Sequence, residues 1–354
     1  MLKILPYLKL CVEKGGSDLF FTANAPAQLK VEGELLPIGK NILTREFIVE
    51  LALSILTPEQ QQYLDQHLEI DLATEAGGLG RFRVNIFNQR GTVAMVLRHV
   101  RSQVPRLDEI RGMPEVLKDL ILHKRGMVLM VGATGSGKST TLAAMINHRN
   151  ETQTGHILTI EDPIEFIHPN KRSIINQREV GQDTISYERA LKSSLREAPD
   201  VILIGEIRTR ETMDACIQLA NTGHLAISTL HANNAYQALQ RIVNLYPEEL
   251  RGQLYMDLSL TLRAIVSQRL VRRVDGKRCA AMEVMMNTPY IQDLILNRRI
   301  DELKEAMVQS SDQGMLTFDN SLFGLYKSGA IAIEEALANA DSRTNLEARI
   351  NFGG

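Results

Sequence analysis

The chain has no tryptophan and only three cysteines in 354 residues. Cys11, Cys216 and Cys279 lie far apart and form no C-x-x-C pair, which argues against a disulfide framework or a four-cysteine zinc site. They read as reduced thiols in the core of a cytosolic protein. Neither sign of charge is in excess, because 40 Lys plus Arg face 42 Asp plus Glu. That balance gives no support for broad electrostatic binding to nucleic acid. No uninterrupted apolar run approaches bilayer-spanning length. Met1 to Gly16 carries Lys3, Lys9, Glu13 and Lys14 among its apolar residues, so it reads as a short amphipathic helix ending at Gly15-Gly16 rather than a signal peptide. The expectation is a soluble protein long enough for two domains. No internal repeat or low-complexity segment is visible.

What is present is Gly132-Ala133-Thr134-Gly135-Ser136-Gly137-Lys138-Ser139-Thr140, which fits the phosphate-loop pattern G-x-x-x-x-G-K-[ST]. Its context sharpens the match. Met127 to Val131 is an apolar run suited to a buried strand, and the residues from Thr141 to Asn147 can continue as a helix. A strand, a glycine loop and a helix N-terminus in that order aim backbone N–H groups at a di- or triphosphate. Lys138 would meet the β- and γ-phosphates of a nucleotide, and the Ser139 hydroxyl would hold Mg²⁺.

Residues 1–99 read as a mixed α/β unit. Residues 28–31 and 34–38 flank Glu32-Gly33 as a hairpin. Helical spacing runs from Thr44 to Leu56, and Thr57-Pro58-Glu59 opens a further helix. A second hairpin, residues 80–87 and 92–98, turns at Asn88 to Gly91. Arg81, Arg83 and Asn85 share one face of its first strand, while Phe82, Val84 and Ile86 share the other. On residue pattern alone that arginine pair is a solvated strand face. Residues 100–114, charged and carrying Pro105 and Pro114, read as a linker. From there to residue 354, strands and helices alternate as in a doubly wound parallel sheet. Tyr187 to Ala198 and Glu211 to Asn221 read as amphipathic helices, and beyond Tyr246 the pattern looks mostly helical.

Four of the strands end in useful chemistry: the first in the phosphate loop, residues 157–160 at Glu161, residues 201–204 at Gly205-Glu206, and residues 225–230 at His231. Ligands in open α/β sheets sit beyond the carboxyl ends of strands, so one site is expected there. Glu206 is the candidate base that positions the attacking water. Gly205 holds the place where an acidic magnesium ligand is usual, so Mg²⁺ would rely on Ser139, phosphate oxygens and waters, one of them held by Glu161. His231 would sense the γ-phosphate or contact the water on Glu206, whereas His224 falls at the opposite strand end. No arginine in the same subunit is an obvious charge-stabilising finger. Arg81, Arg83 and Arg98 would have to serve from another domain or subunit, which argues for an oligomer.

Gly132 to Thr140, Ile160-Glu161-Asp162-Pro163-Ile164-Glu165, residues 199–208 and residues 222–232 resemble, in that order, the Walker A, Asp box, Walker B and His box of the secretion ATPase superfamily. Gly15 to Leu19, Gly80 to Asn85 and Gly314 to Asp319 resemble segments of its type IV pilus retraction ATPases. The resemblance implies a PAS-like α+β N-terminal domain and a RecA-like P-loop ATPase domain with a helical C-terminal region. It also implies a cytoplasmic homo-hexamer that acts on an inner-membrane pilus platform protein and reaches the membrane through partners. In that family the N-terminal arginines reach bound nucleotide, which moves Arg81, Arg83 and Arg98 from a solvated face to possible nucleotide contacts.

Two departures narrow the resemblance. The main retraction motors carry an Ala-Ile-Arg motif where this chain reads Pro289-Tyr290-Ile291-Gln292-Asp293-Leu294-Ile295, and they usually have proline where Ala133 stands. The pattern is closer to the accessory retraction ATPases, which work with a partner retraction ATPase hexamer. A nucleotide-binding adaptor is the alternative. A pilus-assembly or secretion ATPase comes third, because those resemble a chain with a longer N-terminal region and a tetracysteine motif.

Overall fold

The computed structural model describes residues 3–31, 33–100, 103–310 and 314–352. Met1 and Leu2 of the expected first helix, Glu32 of the first hairpin, and Arg101 and Ser102 of the expected linker lie outside the described residues. The chain divides into two units, Met1–Gln103 with Glu165–Ile167, and Val104–Ile164 with His168–Gly354.

The first unit runs α1 (Leu5–Glu13), β1 (Asp18–Phe21), β2 (Gln28–Val31), β3 (Glu34–Pro37), α2 (Arg45–Leu53), α3 (Pro58–His67), β4 (Glu69–Ala76), β5 (Gly80–Gln89) and β6 (Thr92–Val100). Thr44 caps α2 by accepting from Phe47 N at 3.2 Å. Thr57 and Gln60 close a reciprocal capping box on α3, with Pro58 in the first turn. The strands form an antiparallel sheet in the order β3-β2-β1-β6-β5-β4. Alternation sends Phe82, Val84 and Ile86 into a core shared with Leu19, Phe21, Met95 and Leu97. Arg81, Arg83 and Asn85 are directed the other way, as a period of two requires. This is the PAS-like domain.

The second unit begins with a short turn, Leu107–Glu109, and continues α4 (Val116–Leu122), β7 (Gly126–Val131), α5 (Lys138–Thr152), β8 (Gly155–Glu161), β9 (Ser173–Glu179), α6 (Tyr187–Ser194), β10 (Val201–Ile204), α7 (Arg210–Asn221), β11 (Leu225–Leu230), α8 (Ala235–Asn244) and α9 (Glu248–Thr261). The strands β12 (Leu262–Arg272) and β13 (Arg278–Met286) follow, then α10 (Pro289–Leu296), α11 (Leu303–Gln309), α12 (Phe318–Lys327), α13 (Ile333–Asn339) and α14 (Arg343–Phe352). The sheet order is β13-β12-β7-β11-β10-β8-β9, parallel except for β13 on β12. This is the RecA-like layer, with β7, β10 and β11 buried almost throughout.

Two sequence expectations differ from the structure. The stretch after Tyr246 is mostly helical, as expected, but it also carries a long hairpin that was not expected, β12 and β13, which adds to the parallel sheet beside β7. Leu262 to Gln268 is covered on both faces, so its burial is nearly continuous and shows no strand alternation. The segment expected as a linker also packs partly on the second unit. Leu107 is buried with Leu117 and Ile146, and Ala280 N donates to Arg111 O at 3.2 Å.

Candidate active site

β7 delivers the chain into the loop Gly132–Gly137, and α5 begins at Lys138. Gly137 is the helix N-cap at φ +88°, a left-handed conformation that glycine adopts without a Cβ penalty. A Cβ on Gly132 would lie 2.6 Å from the main-chain oxygen of Gln268 on β12, so only glycine lets the loop pass that strand. The Lys138 ammonium folds onto the loop, donating to Gly132 O at 2.7 Å and Ala133 O at 3.0 Å. Burial lowers its pKa from the usual lysine value, and the negative charge of Glu206 opposes that shift. Ser139 is exposed, Thr140 half-buried, and the Ser136 hydroxyl is buried without a hydrogen-bond partner among the described residues.

Two strand ends further along the same edge, beyond β11, carry the acidic groups. Glu161 closes β8, and its Oε1 accepts from Thr159 Oγ1 at 2.6 Å and Gln177 Nε2 at 3.4 Å. Glu206 follows β10 with its side chain 14% exposed. Arg208 Nε donates to its Oε2 at 2.7 Å, and His231 Nε2 lies 3.3 Å from its Oε1. The turns are tied across the sheet. Thr229 Oγ1 donates to Gly205 O at 2.6 Å, Ile207 N to Thr229 O at 2.9 Å, and Arg241 Nη1 to His231 O at 2.9 Å. His224 stands at the entry of β11, where its carbonyl accepts from Gly126 N, far from these carboxylates along the strand.

Gly205 has a physical reason. A Cβ there would meet Tyr187 Oη at 2.5 Å, and Glu161 Cα and Ile160 O at 3.3 Å each. The Tyr187 hydroxyl therefore fills the space that an acidic side chain would need. Its pKa is raised by burial and then by Asp162 and Glu161, so it stays a neutral phenol.

Of the expected arginines, Arg98 Nε donates to Asp18 Oδ1 at 2.8 Å. Arg83 is Arg98's cross-strand partner in the β5–β6 ladder, and Arg81 lies opposite Val100. All three belong to the first unit. Sequence reasoning missed Arg208, beyond its nearness to Glu206, and the contribution of the hairpin. A cavity of about 270 Å³ opens on the phosphate loop and is walled by Asn233, Gln268, Leu270 and Arg278. Asp275-Gly276 was the readable signal for that hairpin.

Among the described residues no group of three or more His, Cys, Asp and Glu forms a metal cage. A cation here would take the exposed Ser139 hydroxyl, phosphate oxygens and water. Magnesium, which keeps several waters and few protein ligands, fits that donor set.

A glycine loop opening a helix at the carboxyl edge of this sheet order marks a P-loop nucleotide-binding protein of RecA type. Residues 5–334 match the type II/IV secretion system protein family. The chain is 52% identical, over 98% of its length and 91% of the relative's, to the type IV pilus ATPase PilU of Pseudomonas aeruginosa. It is 40% identical to the type IV pilus retraction ATPase PilT of the same organism, over 97% of this chain and 99% of that one. A crystal structure of the pilus retraction motor PilT with bound ADP superposes with a TM-score of 0.91 at 38% identity, covering 97% of this chain and 98% of that one. The chain belongs to the type II/IV secretion system protein family, within its PilT/PilU retraction ATPase branch. No helix among the described residues is long and apolar enough to cross a membrane.

Proposed function

We propose that this chain hydrolyses ATP as a subunit of a cytoplasmic homo-hexamer that powers or assists retraction of type IV pili at the inner-membrane platform. The observation that carries the reading is Glu206, bonded by Arg208 on one oxygen, faced by His231 at the other and close enough to Lys138 for its charge to be felt there. A carboxylate fixed by a donor on one oxygen and faced by an imidazole on the other is pre-oriented to hold a water in line with the γ-phosphate. Lys138 leaves the loop carbonyls for the β- and γ-phosphates, and the loop N–H groups from Gly132 to Thr140 take the remaining oxygens. Ser139 and phosphate oxygens would hold Mg²⁺, with a water on Glu161, and the ion would supply charge neutralisation. Arg81, Arg83 and Arg98 act on a neighbouring subunit's nucleotide. The N-terminal domain, residues 1–99, is then the arm that brings them.

Steady-state ATP hydrolysis, alone and with a partner retraction ATPase hexamer, tests this. Glu206→Gln should keep nucleotide binding and lose turnover, whereas Lys138→Ala should weaken binding. Equal hydrolysis by wild type and Glu206→Gln sinks the assignment.

A second reading is a coupling subunit that retains nucleotide for docking on that partner. It is favoured by α10, which exposes Tyr290 and Leu296 where the main motors resemble one another in an Ala-Ile-Arg motif. Turnover that appears only in the mixture, and depends on this chain's Glu206, favours the assisting motor. No dependence in either setting favours the coupling subunit.

A further inference from the structure

Gln268 is a polar side chain only 2% exposed, in the middle of β12. It meets the phosphate loop at both ends. Its main-chain oxygen closes on Gly132, and a Cβ on Gly137 would lie 2.8 Å from its Nε2. Thr141 Oγ1, one turn into α5, donates to Gln268 Oε1 at 2.7 Å. That bond engages Oε1 and leaves Nε2 beside Gly137 of the loop, and Gln268 lines the cavity together with Gly132–Ser136. Among the described residues Nε2 donates to nothing, although an amide nitrogen carries two donors. An amide donor beside the loop without a protein acceptor is available to a ligand, and phosphate oxygens are strong acceptors.

We propose that Gln268 is a nucleotide-binding residue, whose Nε2 donates to the phosphate chain of the nucleotide cradled by the loop. This rests on the ATP-binding reading above and adds a contact from outside the four motifs. Thr141 is its positioning residue. Ser267, the next residue back, faces the other way and donates to Glu283 Oε1 at 3.0 Å, so the two neighbours separate a contact to the loop from a contact away from it.

The test is titration of the full chain with a fluorescent ATP analogue, together with ADP-induced thermal stabilisation. Gln268→Met keeps the side chain's length and removes the donor. It is expected to weaken binding about tenfold, and Gln268→Glu, which sets a carboxylate oxygen against the phosphates, by about a hundredfold. Ser267→Ala removes a buried hydrogen bond from the opposite side of the same strand and is expected to leave the affinity unchanged. Wild-type affinity in Gln268→Met overturns the proposal. Equal weakening in Ser267→Ala overturns it too, because the effect would then belong to the strand. Failure of the ATPase reading looks different, as hydrolysis insensitive to Glu206→Gln while the binding results stand.

Discussion

Replacing Gly205 with alanine tests whether the Tyr187 hydroxyl defines the geometry between the two carboxylates. The added Cβ would sit 2.5 Å from Tyr187 Oη, where ordinary contact begins at 3.4 Å, so about 1 Å must be found. The main chain cannot easily supply it, because Gly205 N donates to Ile160 O at 2.8 Å and Gly205 O accepts from Thr229 at 2.6 Å. Overpacking of this kind costs about 1–3 kcal/mol. In a unit of this size, about 2 kcal/mol lowers the thermal midpoint by about 4–8 °C. The displacement falls between Glu161 and Glu206, and a 1 Å misplacement of catalytic groups costs roughly a hundredfold in rate. Gly205→Ala should therefore lose about two orders of magnitude in kcat with nucleotide affinity intact, since the loop does not move. Tyr187→Phe in the same chain removes the clashing oxygen and should restore part of both losses, as a double-mutant cycle will read. A Gly205→Ala enzyme within threefold of wild-type kcat refutes the reasoning.

Two further outcomes are expected. Arg98→Ala strands the Asp18 carboxylate, whose side chain is 7% exposed, with the Ser17 hydroxyl at 2.8 Å. Denaturant unfolding should show a loss of about 1–3 kcal/mol, whereas Arg83→Ala, which relieves a like-charge cross-strand pair, should lose nothing. Burial, and then the Asp341 charge, raises the Glu283 pKa above its ordinary 4.5. The native chain holds that proton where the unfolded chain has released it, so this stabilising contribution is complete below the unfolded value and lost as pH rises through the raised one. Glu283→Gln keeps an acceptor for Ala235 N and Ser267 and abolishes the slope, so its midpoint should gain on wild type as pH rises from 4.5 towards neutrality. Parallel midpoint curves would refute this.

The phosphate loop and the four strands around it were legible because motif, strand and helix start are contiguous in sequence. The carboxylates and His231 were placed by their position after apolar runs, and the sheet gathers those ends at one edge. What escaped was set by distant partners. β4, for which no strand was expected, alternates by burying Ile70 and Leu72 between exposed Glu69 and Asp71. Arg98 meets Asp18 from 80 positions away, and Tyr187 meets Gly205 across the site. Gln268 reads as an ordinary polar residue until β12 lies beside β7, and β12's nearly continuous burial leaves no alternation to mark it as a strand.

The position of β12 also governs the order in which a newborn chain completes itself. β7 is synthesised first, but one of its two flanking strands is β11, residues 225–230, and the other is β12. At roughly 5–20 residues per second on the ribosome, more than 130 residues separate the loop from Gln268, an interval on the order of ten seconds. Through that interval an apolar strand edge waits without its neighbour and the phosphate cradle lacks a wall. Such an edge is a ready template for mispairing with other chains. Nascent copies are therefore most in need of chaperone cover in this window, and the nucleotide site gains its last wall only when the hairpin has emerged and closed.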